Sequence, residues 1–163
     1  MEGLEKIKII VSEVEGILTQ GWLPIDELGN NPFKLFYYKD FEAINLLKPH
    51  FKIVFVSADN KINYNLLRNK QLPFYYEPKN KKQAVLSALK RYSLAPDDAM
   101  YIGSSYTDIE CMRQIPFSVC PEDAVPEIKE LSATVLPVYG GDGVFCALYD
   151  FLKPEIRRRK TID

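Results

Sequence analysis

An apolar run, Lys8-Ile9-Ile10-Val11-Ser12, ends in two carboxylates two residues apart, Glu13 and Glu15, followed by Gly16. Strand side chains alternate between faces, but the chain turns beyond a strand end, so Glu13 and Glu15 can both reach one crevice. Carboxylates so placed can serve as nucleophile, as acid and base, or as oxygen ligands of a hard cation. Two further strand ends carry polar groups: Ser57-Ala58-Asp59, and Ser104-Ser105-Tyr106-Thr107-Asp108. The Ser57 hydroxyl can donate to a bound oxygen or cap the next helix. Lys81, in the cluster Lys79, Lys81 and Lys82, is either a point charge aimed at the crevice or a solvated helix start. Asp108 also reads as a charge favourable to a helix N-terminus, and Asp142, in Gly140-Gly141-Asp142-Gly143, as a turn aspartate.

Alternating strand-like and helix-like runs must position these groups. Strands are expected at 7–12, 51–57, 74–76, 99–103, 117–119 and 134–136, and helices at 40–48, 60–69, 81–92, 107–114, 124–131 and 144–152. Asp40 is placed as N-cap of the first helix. Between 20 and 38, Pro24, Gly29-Asn30-Asn31 and Pro32 punctuate a stretch in which Phe33, Leu35 and Tyr37 alternate. This reads as a β-hairpin with its turn near Gly29-Asn30. The β-α alternation predicts a doubly wound, mostly parallel α/β sheet carrying this hairpin after its first strand. Such sheets place their sites at the carboxyl ends of strands. The basic tail around 154–163 is expected to fray.

The 163 residues make one domain's worth of chain, and 47% hydrophobic content supports a real core. A net charge of −1 provides no global field toward nucleic acid or membrane. Neither a long apolar span nor a signal-like N-terminus is present, and Cys111, Cys120 and Cys146 lack Cys-x-x-Cys spacing. A reduced, cytoplasmic protein is expected. His50 is the single histidine, which argues against zinc.

Four local matches in order, Glu15-Gly16-Ile17-Leu18-Thr19-Gln20-Gly21, Phe36-Tyr37-Tyr38-Lys39-Asp40, Asn80-Lys81 and Gly140-Gly141-Asp142-Gly143, give the chain its likeness. Across nearly its whole length it resembles haloacid dehalogenase (HAD) phosphatases. The match is to the 3-deoxy-manno-octulosonate 8-phosphate phosphatase group, to which the domain behind some acylneuraminate cytidylyltransferases also belongs. The resemblance implies a HAD-type Rossmann-like fold, with Glu13 at the nucleophile position and Glu15 at the acid/base position. It implies that Ser57 binds phosphate, that Lys81 neutralises phosphate and nucleophile, and that magnesium meets Glu13, the Glu15 backbone carbonyl, Ser104 and, one step removed, Asp108. Asp40, Asp59 and Asp142 fall at substrate-side positions.

Several of these residues depart from the pattern. The group writes Asp-x-Asp-Gly where this chain has Glu13-Val14-Glu15-Gly16, a metal-binding aspartate at Ser104, often an arginine at Asp59, and an arginine at Asp142. Each glutamate adds roughly 1.5 Å of reach, and misplacement by about 1 Å can cost on the order of 100-fold in rate. Magnesium binding is therefore expected to be weak or absent. The reading is a catalytically impaired relative retained as an assembly or regulatory module. The alternatives are a working magnesium phosphatase for a small phosphorylated sugar or sugar acid, and a module binding another ligand in the same crevice. The group's homotetramers, together with Trp22, Leu23, Ile25, Phe33, Leu35, Phe36 and Tyr37 on the insertion, imply a homo-oligomer built through the hairpin.

Overall fold

Apolar runs too short for helices become strands when both faces can be covered, and each of the first, second and fourth strands is buried nearly throughout. The computed structural model describes residues 3–59, 61–77 and 79–160. Six strands, β1 (Ile9–Glu13), β2 (Lys52–Ser57), β3 (Phe74–Tyr76), β4 (Ala99–Ile102), β5 (Phe117–Pro121) and β6 (Thr134–Leu136), form one sheet in the order β3-β2-β1-β4-β5-β6. Every pairing is parallel. The expected doubly wound α/β sheet is thus the observed one. β1 lies in the middle, with Glu13 opposite Val56 and Ser12 opposite Ile102. The chain therefore leaves β1, β2 and β4 on the same edge, the carboxyl edge, at the strand-order reversal where such sheets form a crevice.

The period of two splits the core. Ile10, Phe55, Met100, Ile102 and Val119 face a layer containing α1 (Tyr38–Leu47) and α6 (Val144–Lys160). Ile9, Val11, Val54, Val56 and Tyr101 face α3 (Lys81–Arg91), α4 (Ile109–Gln114) and α5 (Pro126–Leu131). The remaining helix, α2 (Lys61–Asn69), delivers Leu67 to the first of these layers. Asn60, the expected first residue of α2, lies outside the described residues.

Three expectations are corrected. No strand forms between 20 and 37; the chain reverses where Asp26 N–H donates to the Asn30 carbonyl at 2.9 Å. Pro24 and Pro32 remove donors from the two arms, so a ladder is poorly supplied. Asp40 is not the N-cap of α1 but sits inside its first turn, fully buried. The last helix does not end at 152: α6 runs through Pro154 to Lys160. Arg159 anchors it by bonding Glu155 and donating to the Leu4 and Ile7 carbonyls at 2.8 and 2.9 Å.

Candidate active site

Glu13, the last residue of β1, is 3% exposed and turns its carboxylate into the protein. One oxygen accepts from the Val14 N–H at 2.9 Å, and the other pairs with the Lys81 ammonium. Lys81 is placed by the start of α3, where the Asn80 side chain caps the helix by accepting from the Gln83 N–H. The same ammonium donates to Thr107 Oγ1 and Asp108 Oδ1, both at 2.8 Å. It is thus no solvated helix start.

Asp108 is fully buried in the 3-10 turn Tyr106–Asp108 that precedes α4. Its Oδ1 accepts from Lys81 and the Tyr101 hydroxyl. Its Oδ2 accepts the Ser104 and Ser105 N–H groups at 2.9 and 3.0 Å. Burial, with Asp108 alongside, pushes the Tyr101 phenol well above its ordinary range, so that hydroxyl stays a donor.

Glu15 takes the opposite direction. Gly16 turns the chain at φ +74°, and a Cβ there would stand 2.3 Å from Ser104 Oγ, so this close approach needs glycine. The Glu15 side chain is 37% exposed. Its Oε1 accepts from Lys34 Nζ and Asn63 Nδ2, both at 2.6 Å, and its Oε2 from the Ser57 hydroxyl at 2.6 Å. Lys34 also donates to Asn63 Oδ1 at 3.1 Å and pairs with Asp59. The Ser57 oxygen accepts from the Asp59 N–H at 3.0 Å and from Asn63. Its one proton is directed at Glu15.

The β1 loop is thus flanked by two lysine-centred clusters. Glu13, Lys81 and Asp108 meet on one side, and Glu15, Ser57 and Asp59 on the other. Asp40 is not brought to either. Its Oδ1 accepts the Phe145 and Cys146 N–H groups at 2.8 and 3.2 Å, so it caps α6 rather than facing a substrate. Burial raises its carboxyl to about 6 despite those bonds. Asp142 is exposed and accepts from Gln20 Nε2 at 2.9 Å. Its loop packs so tightly on the β1 loop that a Cβ at Gly140 would lie 2.1 Å from the Gly16 carbonyl oxygen.

Lys34 and Asn63 are participants that the sequence reading missed. A signal exists for Asn63: it lies one turn before the fully buried Leu67, so it belongs to the inward stripe of α2 and needed polar partners. Lys34 shares its parity with Phe36, which packs on the core, while Phe33 and Leu35 face out. The alternation was real, but its apolar residues point away from the sheet.

A divalent cation takes one or two carboxylates with oxygens to offer. Both Asp108 oxygens are taken, Glu13 pairs with Lys81, and the neutral Ser104 hydroxyl donates to the Glu15 carbonyl at 3.4 Å. Among the described residues no three His, Cys, Asp or Glu side chains are grouped to hold a metal ion.

Polar side chains gathered at the carboxyl edge of a parallel sheet, where the strand order reverses, define a doubly wound α/β protein with a crevice site. The chain belongs to the haloacid dehalogenase-like hydrolase family, whose model it matches over residues 19–148. The matched stretch holds Ser57, Lys81 and Asp108 but starts beyond both glutamates. The chain is 26% identical over 152 residues to the 3-deoxy-D-manno-octulosonate 8-phosphate phosphatase of Haemophilus influenzae, covering 91% of this chain and 84% of that protein. For the phosphatase of the same name from Escherichia coli K12 the identity is 24% over 153 residues, covering 91% and 80%. The fold superimposes on the cobalt-bound form of the Haemophilus influenzae phosphatase with TM-score 0.86 at 26% identity, over 93% of this chain and 91% of that one. It superimposes on the Moraxella catarrhalis phosphatase in complex with magnesium, phosphate and KDO with TM-score 0.84 at 18% identity, over 93% and 89%, a likeness of fold alone.

Proposed function

We propose that this HAD phosphatase-family chain is catalytically impaired, binds magnesium weakly or not at all, and serves as an assembly or regulatory module. One observation carries the reading: each catalytic-position carboxylate is already matched to the chain's own donors. The two clusters hold four carboxylates, Glu13, Glu15, Asp59 and Asp108, against two ammonium groups, Lys34 and Lys81. A phosphomonoester dianion entering this crevice meets excess negative charge, and phosphoryl transfer depends on neutralising those oxygens. Asp142 adds repulsion toward an acidic sugar phosphate.

A working phosphatase is the second reading, favoured by the retained Lys81–Glu13 pair and by Ser57 at the end of β2. Hydrolysis of an aryl phosphate with excess magnesium separates the two. The expected result is no turnover above buffer and no magnesium-induced rise in Tm. Turnover that disappears in Glu13→Ala establishes the second reading. A Tm rise with a sugar metabolite, without turnover, identifies a binding module instead. Restoring the family's carboxylates in Glu13→Asp/Glu15→Asp/Ser104→Asp should make the protein magnesium-responsive, with about 2.7 kcal/mol of stabilisation at a hundredfold excess over Kd.

The partner in this proposal is a second copy. Trp22 is 83% exposed, Ile25 and Leu28 are exposed on the same insertion, and Leu23, Phe33 and Leu35 are exposed beside Trp22 around a cavity of about 270 Å³. Apolar area of this kind is ordinarily covered by a partner. Light scattering at micromolar concentration should give a homo-oligomer, by resemblance a tetramer, and Trp22→Asp should reduce it to a monomer. A cytoplasmic setting accords with the free Cys111, Cys120 and Cys146 and with the absence, among the described residues, of a helix long and apolar enough to cross a membrane.

A further inference from the structure

Lys34 is carried by a segment without regular structure, between exposed Phe33 and Leu35, yet its own side chain is only 5% exposed. Withdrawing an ammonium from water is costly unless fixed acceptors replace the hydration shell. Here Glu15 after β1, Asp59 after β2 and Asn63 of α2 supply them. These three groups come from three different elements, so the contact ties the insertion to the sheet edge and to α2 together.

We propose that Lys34 is a tether that holds the 20–37 segment down over the crevice and positions Glu15 against Ser57 and Asn63, turned away from Glu13. The inference goes beyond the proposed impairment and stands whether or not the crevice turns over a substrate. It follows from two features of the geometry. Gln20 bonds Asp142 at one end of the segment and Phe36 packs on the core at the other, but the Asp26–Asn30 turn between them is closed on itself, with Asp26 Oδ1 accepting the Leu28 and Asn30 N–H groups, so it adds no hold on the sheet. The Glu15 carboxylate, being on a loop rather than in β1, has its direction set by its partners, and Lys34 and Asn63 share its Oε1. Lys34 is therefore a positioning residue, acting on the crevice through Glu15.

The test measures opening of the segment in the full chain, by chymotrypsin cleavage at Trp22, Phe33, Leu35, Phe36 or Tyr37. Lys34→Met should raise the cleavage rate about tenfold, with hydrogen exchange in β1, β2 and β4 unchanged. Lys34→Arg, which keeps a cation, should remain within about threefold of the parent, an outcome that lost packing alone would not produce. Asp59→Asn, which weakens the grip from the exposed side without opening a hole, should give an increase of about two- to fourfold and decides the matter if Lys34→Met does not fold. Parental rates in Lys34→Met, or Lys34→Arg opening as fast as Lys34→Met, overturn the proposal. Aryl phosphate turnover of the parent protein bears on the impairment alone, so the two claims fail separately.

Discussion

The crevice contains the same motif twice, a lysine held between two carboxylates, and the two copies differ in what surrounds them. Lys81 lies between Glu13 and Asp108, all three nearly or fully buried, with backbone N–H groups and the Tyr101 hydroxyl completing the set. Lys34 lies between Glu15 and Asp59, whose side chains are 37% and 41% exposed. Lys81 comes from the capped start of an eleven-residue helix, whereas Lys34 comes from an irregular insertion. Water screens the second set and reaches the first hardly at all, so similar ion pairs should carry unequal energies. The Lys81 side holds the fold of the carboxyl edge, and the Lys34 side is the part that can open.

Removing Lys81 should produce the largest effect. Lys81→Met leaves two buried carboxylates without their cation, a loss of about 3–5 kcal/mol. At roughly 2–4 °C per kcal/mol for a domain of this size, Tm should fall by about 6–20 °C. Calorimetry and urea denaturation check this. A fall of only a degree or two would show that water or a counter-ion reaches Glu13 and Asp108, and the contrast between the two sides would disappear.

Asp40 sharpens the comparison as a buried carboxylate answered by a helix N-terminus instead of a lysine. Its Oδ1 accepts two α6 N–H groups, while its Oδ2 is buried with no hydrogen-bond partner. Burial dominates, and its carboxyl rises from 3.8 to about 6. The folded state then binds the proton more tightly than the unfolded chain. Stability from this group is fully present below about pH 4 and declines as pH rises to about 6. The decline amounts to about 3 kcal/mol. Asp40→Asn should flatten that part of the profile, measured as urea midpoint against pH between 4 and 8. An unchanged slope would assign it to other groups.

The difference between the two sides also explains what could be read from the chain alone. Glu13, Ser57, Lys81 and Asp108 end or begin regular elements, so strand ends and helix starts locate them. Lys34 sits where no ladder fixes the path: the alternation of Phe33, Leu35 and Tyr37 reveals that Lys34 and Phe36 share a face, but not that this face turns inward. The separation of Glu13 from Glu15 was equally hidden, because it depends on partners from α2 and the insertion. Asp40 was misplaced for a related reason. An aspartate early in a helix reads as that helix's cap, and only the tertiary packing of α1 on α6 reveals that it caps the other one. The length of α6 beyond 152 was hidden as well, because Arg159 holds that end by reaching carbonyls at the other end of the chain.

The smallest effects belong to the Lys34 side. Asp59→Asn removes one screened partner of an ammonium that still has Glu15 and Asn63, so global stability should change by about 0.5 kcal/mol or less. Lys34→Met should cost about 1 kcal/mol, well short of Lys81→Met, because Glu15 can turn to water once its partner is gone. The decisive quantity is the coupling between the sites in the Lys34→Met/Lys81→Met double variant. With separate partner sets, the two losses should add within about 0.5 kcal/mol. Strong non-additivity would mean that Glu13 and Glu15 sense each other across the β1 turn, and that the crevice acts as one charged network rather than two.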